Sequence, residues 1–286
     1  MDTRIPAYGT IVAAAGWSEK TRAMAQRAAM IGRAHDARGV LVHLYAHGVL
    51  EVLRGLPRAG QASFHRARLA ELDDAVAAST GFRFELQVHA GRGCPRVRRR
   101  VLEGASLLVF DDPGPWAPYG AWPRMGELAC PALMVKRPPA GQYRRVLVLA
   151  DPPGQACAAI GQARAIAPEA EIVLLSVLDR SHEEGLRSRR LGEEAIGLAL
   201  QQRREEAYAT LAGLAEEAGA TVVRMVEQGH LPMLLRNIEE RLGADLLVLG
   251  RERRPLWLRY LLRDLVFEAA GGSGCDVLLL PPVARQ

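Results

Sequence analysis

An ordered set of five apolar runs occurs twice in this chain, and this duplication restricts the fold more than any other feature of the sequence. In the first half, the runs lie at residues 10–15, 40–45, 82–89, 107–110 and 130–135. In the second half, they lie at residues 145–150, 172–177, 221–226, 246–249 and 275–280. Short apolar runs bounded by Gly, Pro or polar residues are typical of buried strands. Each half therefore predicts a five-stranded sheet.

Segments of helical composition connect these runs in the same order in both halves. They lie around residues 19–35, 60–79 and 95–102, and again around residues 155–167, 191–218 and 232–242. A strand, a helix and a second strand in succession predict a parallel crossover unit. Because the strands are apolar along nearly their whole length, both faces of each sheet should be covered. The predicted fold class is α/β, with two tandem five-stranded, parallel, doubly wound domains of Rossmann-like type.

A stretch rich in Pro and Gly, residues 137–142, separates the two halves. Pro and Gly interrupt strands and helices alike, so this stretch predicts a short linker. We place the two domains at residues 1–138 and 143–286. The domains should pack together about a pseudo-twofold axis, as an intramolecular pair.

The composition favours a protein of the cytoplasm. No apolar stretch approaches the roughly 20 residues that a membrane-spanning helix needs, and the first four residues are not followed by an apolar signal-peptide block. We therefore expect no membrane association. The cysteines, Cys94, Cys130, Cys157 and Cys275, match neither zinc-ligand spacing nor a disulfide framework, so we expect no metal site and a reducing compartment.

Four segments of the second half carry a family resemblance. They are the strand at residues 146–150 ending on Asp151, the turn at Gly229, the segment at residues 243–250 and the last apolar run at residues 275–280. Together and in this order they resemble the universal stress protein family, in particular its tandem-domain, universal stress protein E-like members. The resemblance implies a fold of the adenine nucleotide alpha hydrolase-like type over nearly the whole chain.

In ATP-binding members of that family, a glycine-rich loop after the fourth strand holds the phosphates with backbone amides and a hydroxyl. Glycine permits a close approach of the backbone to a phosphate, and a helix N-terminus favours an anion. In the second half, Gly250 keeps the first glycine, whereas Arg253, Arg263 and Asp264 replace the second glycine, the third glycine and the hydroxyl residue. We therefore expect the phosphate loop to be lost, although the two arginines could attract an anion.

The resemblance also implies an aspartate that faces the adenine end of the site. This residue is Asp151 in the second half and Gly16 in the first, and in the first half the acidic pair Asp111–Asp112 follows the fourth strand in a shortened loop. We expect a degenerate site in the first domain and a partly retained nucleotide or anion site in the second. The candidate residues of that vestigial site are Asp151, Gly229, Gly250, Arg251, Arg253 and Arg263.

The function implied by the resemblance is a stress response through a protein partner or a small ligand, without catalysis and without a cofactor. The sequence offers no nucleophile with an adjacent base and no metal cluster. The alternative is an ATP- or AMP-binding stress sensor, or a weak ATPase, that uses only the second domain.

Several further residues allow two interpretations each. The cluster Arg92, Arg96, Arg98, Arg99 and Arg100 would suit RNA or an acidic partner, but a solvated helix face is the simpler interpretation, so nucleic acid is not expected. His43 lies within an apolar strand, which predicts a hydrogen-bonded core histidine.

The cysteines and the aromatic residues also allow functional interpretations. Cys94 before Pro95 allows a redox role, whereas the positions of Cys130 and Cys275 at the start of the last apolar runs favour packing. Aromatic residues near both expected phosphate loops predict clefts that are filled or remodelled for an apolar ligand; these are Trp116, Tyr119, Trp122, Trp257 and Tyr260.

Overall fold

The computed structural model describes residues 7–45, 60–90, 99, 101–111, 129–150, 153–178, 181–188, 192–250 and 265–281. The chain divides between Gly141 and Gln142 into two compact units, a first unit that runs from Ala7 to Gly141 and a second unit that runs from Gln142 to Gln286. The predicted α/β class with parallel sheets is confirmed in both units.

The first unit contains a parallel sheet with the strand order β3-β2-β1-β4-β5. Its strands are β1 (Thr10–Ala14), β2 (Arg38–Tyr45), β3 (Glu85–Ala90), β4 (Leu107–Asp111) and β5 (Ala132–Val135). Two helices are described, α1 (Thr21–Ala34) and α2 (Gln61–Thr80). Every residue of β4 and of β5 is buried, which agrees with the expectation that apolar parallel strands are covered on both faces.

The second unit repeats this topology with the strand order β8-β7-β6-β9-β10. Its strands are β6 (Arg145–Leu149), β7 (Glu171–Leu178), β8 (Val223–Gln228), β9 (Leu246–Leu249) and β10 (Asp276–Leu279). Its helices are α3 (Pro153–Ile166), α4 (Ser181–Ser188), α5 (Glu193–Glu217), α6 (Leu231–Leu242) and α7 (Leu265–Gly272). None of the helices in the described ranges has the length and apolarity needed to cross a bilayer.

The third strand of the first unit begins later than the apolar run predicts. The run starts at residue 82, whereas β3 begins at Glu85, because Gly81 ends α2 in the left-handed conformation at φ 71° and the N–H of Phe84 donates to Asp73 Oδ1 at 2.9 Å. Phe82 and Phe84 instead pack edge to face, with ring centroids 5.1 Å apart. Two apolar residues of the run therefore close the loop rather than extend the sheet.

The helix predicted around residues 191–218 is α5, and it is preceded by a shorter helix that the sequence analysis did not predict, α4. The segment of α4, Ser181–Ser188, contains Gly185 and mostly polar residues, so its composition predicts no helix. The last connection also contains a helix, α7, for which the sequence analysis set no bounds. The predicted helix at residues 95–102 lies mostly outside the described residues.

Candidate functional site

The strand order places a candidate site at one position in each unit. In the first sheet, β1 lies between β2 and β4, so the connections leave β1 in opposite directions; in the second sheet, β6 lies between β7 and β9 in the same way. Ligands of open parallel sheets bind at such a switch point, outside the carboxyl ends of the strands. We therefore compare the residues at the carboxyl ends of β1 and β4 in the first unit with those at the carboxyl ends of β6 and β9 in the second.

The strand register allows the two units to be compared residue by residue. Ala14 pairs with Phe110 in the first unit, and Leu149 pairs with Leu249 in the second. Gly16 and Asp111 thus correspond in position to Asp151 and Gly250. The first unit has glycine after its first strand and aspartate at the end of its fourth, whereas the second unit has aspartate after its first strand and glycine after its fourth.

In the first unit, Asp111 fills the space at the switch point. Its side chain is buried, and its Oδ2 accepts hydrogen bonds from Ser18 Oγ at 2.6 Å and from Thr21 Oγ1 at 2.7 Å. A β-carbon on Gly16 would lie 2.8 Å from Asp111 Oδ1, so residue 16 must be glycine for the carboxylate to sit there. A buried carboxylate is stable only when hydrogen bonds replace its water, and the two hydroxyls supply them.

The carboxylate also lies at the N-terminal end of α1. Thr21 is the first residue of that helix, and Ser18 Oγ accepts from the N–H of Lys20 at 3.1 Å while it donates to Asp111. A helix N-terminus carries a partial positive charge that favours an anion. The carboxylate of Asp111 therefore lies where the charge of the helix N-terminus favours it.

A cluster of aromatic and basic side chains adjoins this acidic site. Trp17 follows Gly16 with φ 61°, and its Nε1 donates to Nε2 of His43 at 3.0 Å. Nδ1 of His43 lies 2.8 Å from the carbonyl oxygen of Ala15, so the expected role of His43 as a hydrogen-bonded core histidine is confirmed. The His43 and His65 rings lie 4.5 Å apart between centroids, and the Arg68 guanidinium lies 4.2 Å from the centre of the Trp17 ring.

In the second unit, the structure describes two of the six candidate residues. Gly229 ends β8 with φ 151°, and a β-carbon there would lie 3.1 Å from Leu234 Cδ1. Gly250 follows β9, and a β-carbon there would lie 2.8 Å from Oε1 of the buried Gln155. Each glycine thus lies in close contact with a neighbouring side chain.

The two described candidates do not lie together, because β7 and β6 separate β8 from β9. Three strand spacings correspond to about 14 Å. The other four candidates, Asp151, Arg251, Arg253 and Arg263, lie outside the described residues, as do Asp264 and Asp112.

Several further sequence hypotheses also fall outside the described residues. They concern Arg92, Cys94, Arg96, Arg98, Arg100, Trp116, Tyr119, Trp122, Trp257 and Tyr260. Of the arginine cluster, the structure describes only Arg99, an exposed helical residue. Among the described residues, no three His, Cys, Asp or Glu side chains are grouped so that they could hold a metal ion.

None of the described cysteines, Cys130, Cys157 and Cys275, takes part in a disulfide. Cys130 and Cys275 are buried just before β5 and β10, as expected for packing residues. Burial raises the pKa of the Cys130 thiol, which opposes formation of the reactive thiolate. The pKa of Cys157 is also raised, first by burial and then by the neighbouring Glu217 carboxylate.

Two contacts that build the site were missed by the sequence reasoning. Asp111 was interpreted as the start of an acidic loop, and Gln155 was not considered. The available signal was the strand register, which pairs Ala14 with Phe110 and so places Asp111 beside the residues that follow β1. Ser18 and Thr21 are also spaced three residues apart, as hydroxyls facing one point at a helix start would be. The signal for Gln155 was its position near the start of α3, beside the end of β9.

Comparisons with known proteins agree with this architecture. The model of the universal stress protein family matches residues 142–281. A universal stress protein from Archaeoglobus fulgidus DSM 4304 has the same fold, with a TM-score of 0.65 and 13% identity over 100% of both chains. A candidate universal stress protein from Pseudomonas aeruginosa UCBPP-PA14 gives a TM-score of 0.62 and 15% identity over 96% of this chain and 94% of that one.

A comparison with curated protein sequences found no match. At such identities the structural similarities establish the fold alone, and they extend over both units. The family assignment comes from the sequence match in the second unit. Residues 142–281 therefore form a domain that belongs to the universal stress protein family.

Proposed function

We propose that this chain is a non-catalytic stress-response protein of the cytoplasm that acts by binding a protein partner or a small ligand, and that its first unit does not take a nucleotide. The observation that carries the proposal is the burial of the Asp111 carboxylate at the switch point, against Gly16 and the start of α1. A phosphate in the same place would meet a negative charge at close range. The first unit thus contains its own anion.

The chemistry of this site supports a structural role for Asp111. The carboxylate accepts from two hydroxyls at once, so it is held as an acceptor rather than left available as a base for one nucleophile. Both hydrogen bonds are charge-assisted and short, which fixes the loop between β1 and α1. In the proposed role, this loop and its surroundings form a recognition surface instead of a reaction site.

The tandem-domain, universal stress protein E-like organisation belongs to the same proposal. Both units have the same strand order and the same register between their central strands. The exchange of glycine and aspartate between them supports a duplication in which the two copies have diverged. In that arrangement the first unit serves a structural role and the second retains part of the ancestral site.

The alternative is a nucleotide-binding sensor or weak ATPase that uses the second unit. One observation favours it: Asp151 and Gly250 keep the aspartate after the first strand and the glycine after the fourth, which is the order that the family resemblance implies. Against it, the buried Gln155 side chain packs on Gly250 in the space that a close phosphate would need.

Calorimetric titration of the full chain with ATP, ADP and AMP, each with and without Mg²⁺, tests the proposal. We expect no saturable binding at nucleotide concentrations up to about 1 mM, which corresponds to a binding free energy weaker than about −4 kcal/mol. Phosphate release from ATP should also stay at the background rate. Micromolar binding that is lost in Asp151→Ala and kept in the matched first-unit variant Asp111→Asn would replace the proposal by the alternative.

A further inference from the structure

The loop between β1 and α1 holds Trp17 in an unfavourable backbone conformation. Its φ of 61° lies in the left-handed region, which an aromatic residue rarely adopts. Such a conformation persists only where surrounding contacts impose it. The contacts on Trp17 are the hydrogen bond to His43, the ring contact with His43 at 5.0 Å between centroids, and the Arg68 guanidinium over its face.

The hydrogen bond to Trp17 requires a neutral His43. The carbonyl oxygen of Ala15 can only accept, so Nδ1 of His43 carries the proton and donates to it. The indole Nε1 of Trp17 can only donate, so Nε2 of His43 must present its lone pair. Because both ring nitrogens are used, a second proton on the imidazole has to displace Trp17.

The ionisable groups that the described residues bring to this cluster are His65 and Arg68 from α2 and Tyr45 from β2. His65 contacts the rings of both His43 and Tyr45, at 4.5 Å and 5.1 Å between centroids. The loop contributes Ala15 and Trp17, and the strand next to β2 places the uncharged Val88 beside His43 in register. An imidazolium at His43 would therefore face a second histidine and the guanidinium held over Trp17.

We propose that protonation of His43 releases Trp17, so that the loop between β1 and α1 responds to acid. The proton binds Nε2 of His43, the hydrogen bond from Trp17 Nε1 is lost, and the hydrogen bond from Nδ1 to Ala15 remains. The same loop carries Gly16 and Ser18, which contact Asp111, so the release of Trp17 loosens the contacts that close the first-unit site. Histidine is the side chain that ordinarily changes charge between pH 5 and pH 8.

This pH response is independent of the proposed function, because it depends only on contacts within the first unit. It predicts that the surface around Trp17 differs between neutral and mildly acidic solution. A partner that recognises the closed loop would then dissociate as the pH falls.

The experiment follows the indole N–H of Trp17 by NMR in the full chain with the substitutions Trp116→Phe, Trp122→Phe and Trp257→Phe, so that one indole signal remains. As the pH is lowered from 8 through the titration of the His43 imidazole signal, we expect an upfield shift of the indole signal as its hydrogen bond is lost. The shift should be reversible, should have the midpoint of the His43 imidazole signal, and should be absent in His43→Asn. The matched control is His89→Asn, because His89 on β3 bonds to Gln87 instead of this cluster and its replacement should leave the shift intact.

Three results would overturn the proposal. They are an indole signal that does not change with pH, a shift that persists in His43→Asn, and a shift that occurs only together with loss of the β4 amide signals, which would indicate unfolding. If His43→Asn does not fold, the test uses the protein with native His43 alone. In that protein, different pH midpoints for the His43 imidazole signal and the Trp17 indole signal would contradict the proposal.

Discussion

The Asp111 carboxylate lies against the α-carbon of Gly16, where a β-carbon would come within 2.8 Å of Oδ1. In the second unit the residues at the same two positions are Asp151 and Gly250. The first unit therefore keeps a carboxylate at the switch point but supplies it from the opposite strand. The hydroxyls of Ser18 and Thr21 hold this carboxylate in an internal contact.

Replacing Gly16 by Ala should destabilise the first unit because the new β-carbon overlaps the Asp111 carboxylate. We expect a loss of about 1–3 kcal/mol in the free energy of unfolding, the usual cost of overpacking. The negative φ at residue 16 allows alanine, so the loss reports the contact and not the backbone. Amide hydrogen exchange in β1 measures it within the first unit.

The control for this prediction is the double-mutant cycle with Asp111→Ala. With the carboxylate removed, Gly16→Ala should cost much less than it does in the parent protein, which would show coupling between the two positions. Equal costs in the two backgrounds would mean that Asp111 does not occupy the space beside Gly16.

The hydroxyl of Thr21 should contribute measurably to the stability of the first unit. It donates to the buried Asp111 at 2.7 Å, and a hydrogen bond to a charged group contributes about 1.5–3 kcal/mol. We expect Thr21→Val, which keeps the shape, to lose an amount in this range in chemical denaturation. Thr21→Ser keeps the donor and should lose clearly less; similar losses for the two variants would assign the effect to packing.

The contact between Gly32 and Phe82 predicts that Gly32→Ala destabilises the parent protein but stabilises a variant that lacks the Phe82 ring. A β-carbon on Gly32 of α1 would lie 2.6 Å from Phe82 Cζ, so Gly32→Ala should be destabilising by about 1–3 kcal/mol although alanine favours helices. In the background Phe82→Ala the overlap is gone, and the same substitution should stabilise by about 0.5–1 kcal/mol. Thermal denaturation of the four proteins measures both differences, and the same sign in both backgrounds would contradict the contact.

The sequence predicted the strands better than the site, and the reason is physical. Runs such as residues 107–110 and 246–249 are apolar throughout and every residue in them is buried, so burial alone identifies them. Asp111 ends such a run, and its identity suggests an exposed loop. Its burial depends on Gly16 and Thr21, which are about 90 residues away in sequence and adjacent only once the register of β1 and β4 is known.

In the second unit too, the sequence did not reveal which distant residue contacts a candidate site residue. Gly250 was a candidate for a vestigial nucleotide or anion site because glycine permits close approach, and the neighbour that the structure places beside it is Gln155. A glycine in the sequence indicates that something comes near, but not what. The helix α4 was missed for another reason, since its polar and glycine-containing segment has little intrinsic helix propensity.

Tyr8 should make the first unit sensitive to alkaline solution. Its side chain is only 2% exposed, and burial raises the pKa of its phenol above the ordinary value of about 10. For a group whose folded-state pKa is raised, the stabilisation is complete below the unfolded-state pKa and is lost as the pH rises from that value toward the folded-state pKa. The free energy of unfolding should therefore fall above about pH 10, by up to about 1.4 kcal/mol per pH unit from this residue.

Chemical denaturation of the parent protein and of Tyr8→Phe between pH 8 and pH 11 isolates this effect. Tyr8→Phe cannot ionise, so the difference between the two proteins should be constant below about pH 9.5 and should shift in favour of the variant above pH 10. The matched control is Tyr208→Phe, which removes a phenol hydroxyl at a position on α5 that is 37% exposed. A difference for Tyr8→Phe that is constant over the whole range would show that the phenol at residue 8 is ionised without loss of the fold, contrary to its burial beside His35.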